Sequence, residues 1–194
     1  MGACRSLPVV SCISVLAVAA AGCGGGGGGG DAKYSGASPE VWAETVCGAL
    51  TNWAQGLQAN SRKVGSGLRN ASITTVKARF IVFMNNAGTS AGTMIDRVHR
   101  VGPPAVKDGD AIQRELETGL RSARASFKRA EKRAEKLPTS NAQSFASAVT
   151  ALGRDIRKEL QATGKAFYNL GDKYDNEQLN NATSNEPACN TVSS

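Results

Sequence analysis

Aromatic residues make up only 5% of this 194-residue chain, and histidine occurs once, at His99. With so few rings, a core must be built from Ala, Leu, Val and Ile, with backbones approaching closely. A single histidine leaves no second imidazole for the paired Glu-x-x-His sites of metal-binding helical bundles. No Cys-x-x-Cys-His segment occurs, which excludes covalently attached haem. The longest apolar stretch, Leu7 to Ala21, is fifteen residues long, short of the ~20 that a permanent membrane span requires. No segment alternates apolar and polar residues between hairpin turns, so strands are not expected. No motif implies a cofactor.

What is present begins with a leader. Met1 to Gly22 has a short positive region carrying Arg5, the apolar stretch, and then small residues before Cys23, the three parts of a secretory signal. The Ala21-Gly22-Cys23 junction resembles the lipobox of bacterial lipoproteins, in which cleavage precedes a cysteine that receives lipid. Three residues before that cysteine stands Ala20, where Leu is commonest in the pattern. Two other readings of the leader exist. Met1-Gly2-Ala3-Cys4-Arg5-Ser6 matches an N-myristoylation pattern that would make the protein cytosolic, but it leaves the apolar run and the Cys23 junction unexplained. Ordinary cleavage at Ala19-Ala20-Ala21 would leave no lipid.

Cysteine usage agrees with the lipobox. Of five cysteines, Cys4 and Cys12 depart with the leader and Cys23 takes the lipid, leaving Cys47 and Cys189. An even pair in an exported protein reads as one disulfide. Loss of Arg5 lowers the formal charge from +7 to +6. That balance suits anionic headgroups or anionic wall polymers and is too weak and too mixed with acids to indicate nucleic acid.

Gly24 to about Ala37 opens with seven consecutive glycines and reads as a tether with an average reach of roughly 20 Å. Order is expected from Ser38-Pro39-Glu40, a cap, a first-turn proline and a first-turn acid. Helix 1 carries Trp42, Val46, Ala49, Trp53 and Leu57 at 3/4 spacing and stops at Gly65-Ser66-Gly67. Helix 2 starts near Ser72 and carries Ile73, Val76, Phe80, Phe83, Ala87, Ala91, Met94, Val98 and Val101 before Gly102-Pro103-Pro104. Helix 3 opens near Asp108 or Asp110 and runs through Leu116, Leu120, Phe127 and Ala134 to Pro138. Helix 4 begins with a capping box, Ser140 and Gln143, and its stripe from Phe145 to Leu170 ends at Gly171. A polar tail follows, with one short helical turn around Asn176 to Ala182. The expected fold is all-α: an elongated up-down-up-down four-helix bundle over residues 38–171, with residues 172–194 tied back by the disulfide.

The Trp42-x4-Cys47 start, the four helices and the ending Glu186-Pro187-Ala188-Cys189 resemble small exported lipoproteins of high-GC Gram-positive bacteria. That resemblance implies an extracytoplasmic location at the cell membrane and implies no activity.

The remaining candidates are weak or local. Asp96 and His99 share a helix face. Asp108-Gly109-Asp110 lacks the other acids and the closing Glu of a calcium loop and reads as a turn and cap. Gly88-x-x-x-Gly92 sits among Asn85, Asn86, Thr89 and Ser90, too polar for lipid, and reads as close helix packing. The most distinctive surface is basic: Lys128, Lys132 and Lys136 fall at i, i+4 and i+8, extended by Arg121 and Arg124. It is a candidate dock for an anionic partner; as a solvated face it would also complement the helix dipole. The leading expectation is a non-enzymatic, lipid-anchored envelope protein that presents a helical surface to a partner or anionic wall polymer. The alternative is a carrier of a small apolar ligand, with a cavity around Phe83, Phe127 and Phe167.

Overall fold

The computed structural model describes residues 33–66 and 71–192, with 162–172 and 191–192 described as helix backbone. The leader, Cys23 and the glycine run lie outside the described residues. The protein is all-α, as expected. Among the described residues six helices follow in order: α1 Pro39–Gly65, α2 Ile73–Val101, α3 Gly109–Ala134, α4 Ala142–Tyr174, α5 Glu177–Asn185 and α6 Pro187–Val192. Among the described residues there is no strand, and the one bridge joins Ala37 to Pro104.

The helix starts follow from their caps. Ser38 Oγ accepts from Val41 N–H ahead of Pro39, and Ser72 Oγ accepts from Thr75 N–H. Each satisfies an otherwise orphaned donor of the first turn. At α4 the expected capping box does not form. Asn141 Oδ1, not Ser140, accepts from Ser144 N–H at 3.0 Å, moving the start one residue on. Asp108 is not a side-chain cap either. It adopts a left-handed conformation (φ 62°) without a capping hydrogen bond, which Asp tolerates better than most residues. Its carbonyl accepts from Ala111 and Ile112 N–H. Gly109 follows because the backbone passes tightly: a Cβ there would lie 2.0 Å from Pro104 O.

α3 runs opposite to α2 and to α4. Asn85–Glu131 and His99–Glu117 join α2 to α3, and Arg129–Glu159 and Arg133–Asp155 join α3 to α4. One turn forward on α3 is met by one turn back on α4. Two apolar clusters lie along these helices. Trp42, Val46, Met94, Val98, Leu116 and Leu120 belong to the first; Met84, Ala87, Phe127, Ala130, Phe145 and Leu152 belong to the second. Trp53 packs partly buried against both. Scarce aromatics are offset by alanine: Ala87, Ala91, Ala123, Ala130 and Ala134 are all buried, which lets the helices approach closely.

The tail is more ordered than one helical turn. α4 runs past Gly171 to Tyr174, and α5 and α6 then pack on α1. Asn176 Oδ1 caps α5 through Leu179 N–H. The Cys47–Cys189 disulfide closes this arrangement with a Cα–Cα distance of 4.8 Å, inside a small buried cluster with Ala43 and Ala182. Thr51 Oγ1 adds a hydrogen bond to Ala188 O at 2.9 Å.

Candidate functional site

The chain enters the helical body at a clamped point. Ala37 N–H donates to Pro103 O at 2.9 Å, and Ala105 N–H donates to Ala37 O at 2.7 Å. Gly36 precedes them with φ 137°, and a Cβ there would lie 2.1 Å from Pro103 O. This positive φ and close approach admit glycine alone. Residues 37–38 are therefore held at the end of the helices that contains the α2–α3 turn.

The basic row of α3 does not act as one unit. Arg121 is 2.5 Å from Glu117 Oε2, an i, i+4 ion pair. Arg124 and Lys128 lean across α2 over the glycine pair, because glycine leaves room for their stems. A Cβ at Gly92 would meet Arg124 Cζ at 3.2 Å, and one at Gly88 would meet Lys128 Cγ at 3.8 Å. The Gly88-x-x-x-Gly92 pair is thus buried against α3 and accommodates cationic side chains. With Asp96 and Glu131 these residues line a polar groove of about 320 Å³ between α2 and α3. Lys132 and Lys136 are exposed. No ion pair engages Arg124, Lys128, Lys132 or Lys136 among the described residues.

Sequence reasoning passed over the two arginines that do bind α4. Arg129 reaches Glu159 and Arg133 reaches Asp155, each at 2.6 Å. The signal was available in the 3/4 spacing: both residues lie on the flank of α3 opposite Lys128 and Lys132. What was missing was which helix that flank faces. The Arg133 hydrogen bond holds the Asp155 carboxyl below its ordinary range. Hydrogen bonds involving Ser126 and Arg129 do the same for Glu159.

His99 does not act with Asp96. Its Nδ1 lies 3.0 Å from Glu117 Oε1, while Asp96 lines the α2–α3 groove. Burial raises the Glu117 carboxyl, but hydrogen bonds from His99 and Gln113 and the charge of Arg121 outweigh it and hold the group low. No group of three or more His, Cys, Asp or Glu among the described residues is arranged to hold a metal ion. No helix among the described residues is long and apolar enough to cross a membrane.

An apolar groove of about 810 Å³ lies between α1 and α4. Leu57 of α1 and Ile156 and Leu160 of α4 form its walls, and Phe83 and Phe127 reach it from α2 and α3. Two of the three phenylalanines expected around a cavity are therefore in it; the Phe167 side chain lies outside the described residues. Arg62, Arg157, Gln58, Ser61 and Gln161 border it. Its size falls within the ~300–1,000 Å³ typical of small-molecule sites. Beside it Trp53 packs edge-on to Phe127, with ring centroids 6.1 Å apart.

Compared with protein-family models, curated proteins and solved structures, the chain matches none of them.

Proposed function

We propose that this is a lipid-anchored, non-enzymatic binding module of the cell envelope, tethered through Cys23 on the extracytoplasmic face. In this reading α1–α4 form an up-down-up-down bundle, with α5 and α6 stapled to α1 by the disulfide. The observation that carries the binding role is the division of charge on α3. Arg129 and Arg133 are committed to α4, whereas Arg124, Lys128, Lys132 and Lys136 are exposed and outside any ion pair among the described residues. A cationic strip outside any ion pair favours an anionic partner and gives salt-sensitive association. Ala37 is clamped beside the α2–α3 turn, at the end of α3 opposite Lys136.

Two experiments test this. Radiolabelled palmitate is expected on the wild-type protein and not on Cys23→Ala; labelling that survives the substitution removes the anchor. Retention on a purified anionic wall fraction is expected to fall with added salt. It should also fall in a variant with Gln at positions 124, 128, 132 and 136 whose circular dichroism is unchanged. Equal retention of that variant removes the surface.

A second reading, carriage of a small apolar ligand, is favoured by the Phe83 and Phe127 groove.

A further inference from the structure

We infer that the α1–α4 groove takes an amphiphile with one hydrocarbon chain and an anionic head. This rests on the carrier reading and deepens it. The interior is hydrocarbon and aromatic: Leu57, Phe83, Phe127, Ile156 and Leu160. A concavity of this volume, mostly apolar with a few polar groups at its border, has the usual form of a small-molecule site. A purely apolar occupant, however, would not account for the rim.

Arg62 and Arg157 border the groove from opposite helices, and no carboxylate is among the described residues that line it. Neither arginine has an ion pair among the described residues. On the other flank of α4, Asp155 and Glu159 are already taken by α3. The acids nearest Arg157 in sequence thus point their charge elsewhere, and the groove keeps a positive border over an apolar floor. A guanidinium binds an anionic oxygen through short, charge-assisted hydrogen bonds. An apolar tail on the floor and an anionic head at the rim satisfy both sets of groups at once.

Two further features make the site testable. Gly153 lines the groove, and a Cβ there would meet nothing within 4 Å, so a large side chain at this position occupies the groove without a backbone clash. Trp53, whose buried indole N–H has no partner among the described residues, packs on Phe127 and supplies a fluorescent reporter beside the floor.

The full chain carrying Cys23→Ala, kept free of detergent, is titrated with laurate, dodecanol and dodecyltrimethylammonium while tryptophan emission is followed. Laurate is expected to bind about tenfold more tightly than dodecanol, and the cation most weakly. Arg62→Gln with Arg157→Gln should bring laurate down to the dodecanol level. Gly153→Phe should abolish binding of all three with helix content unchanged. If none of the probes binds, the carrier reading itself falls. If laurate and dodecanol bind equally, the groove carries apolar ligands but does not select the anionic head. If Gly153→Phe retains laurate affinity, the ligand sits elsewhere and the assignment of this groove is overturned.

Discussion

Trp42 Nε1–H donates to Gln113 Oε1 at 3.2 Å, joining α1 to α3 through a buried polar side chain. Gln113 completes its valences by donating to Val98 O at 2.8 Å and to Glu117 Oε1 at 3.1 Å. Val98 O belongs to the last turn of α2, where carbonyls lack helical partners. One amide therefore satisfies a tryptophan from one helix and an otherwise unpaired helix-end carbonyl from another. Gln113→Leu removes both and leaves them buried. It is expected to destabilise the fold by about 1–3 kcal/mol, read by urea denaturation; an unchanged midpoint would contradict the role given to this residue.

The disulfide joins residues 142 positions apart. Loop closure of that length contributes up to about 5 kcal/mol in the chain-entropy description. Non-reducing peptide mapping should recover Cys47 and Cys189 in one linked species. Cys47→Ala with Cys189→Ala should lower the thermal midpoint, with the contacts of α5 and α6 on α1 lost first by hydrogen exchange.

Glycines at different places should respond oppositely to alanine. Gly109→Ala places a methyl 2.0 Å from Pro104 O and Gly36→Ala places one 2.1 Å from Pro103 O, so both should destabilise. Gly48 and Gly56 lie within α1 with nothing near a would-be Cβ. There the same substitution should stabilise by roughly 0.5–1 kcal/mol through helix propensity. Thermal melts of the four single variants check the sign of each.

Among the described residues, four carboxyls are held below their ordinary range in the folded protein. Glu115 is held down by hydrogen bonds from Lys173 and Tyr174, and Glu117, Asp155 and Glu159 by the contacts described above. A folded-state pKa below the unfolded value means the stabilisation is complete above the ordinary values of 3.8 for Asp and 4.5 for Glu. It is lost as pH falls through the lower folded values. The melting temperature should be level from neutral pH to roughly pH 5 and then fall. Glu117→Gln should make that fall shallower; a melting curve indifferent to pH below 4.5 would contradict these assignments.

Much of the architecture was legible along the chain because helices report locally. Ser38-Pro39 and Ser72 marked starts through cap chemistry. Gly65 and Gly102-Pro103-Pro104 marked stops, and the 3/4 stripe anticipated buried Trp42, Val46, Val98, Leu116 and Leu120. Local reading failed where two adjacent residues offered similar chemistry, as with Ser140 and Asn141. It also failed where a backbone approach rather than a side chain set the turn, as at Asp108-Gly109. The tail was underestimated because its nine-residue helix α5 is polar and gains order from packing on α1, not from its own propensity.

By itself the sequence determined an all-helical protein and the positions of its main breaks, because caps, breakers and periodicity act over a few residues. Tertiary structure alone decided which cations stay exposed and where an apolar groove opens. Lys128 and Arg129 are neighbours in sequence, yet one leans over Gly88 while the other is bound to Glu159. A helix turns each successive side chain by about 100°, so the fate of a charge depends on the neighbour its flank meets. Phe83 and Phe127 likewise come from separate helices and meet at one groove only when all four have packed.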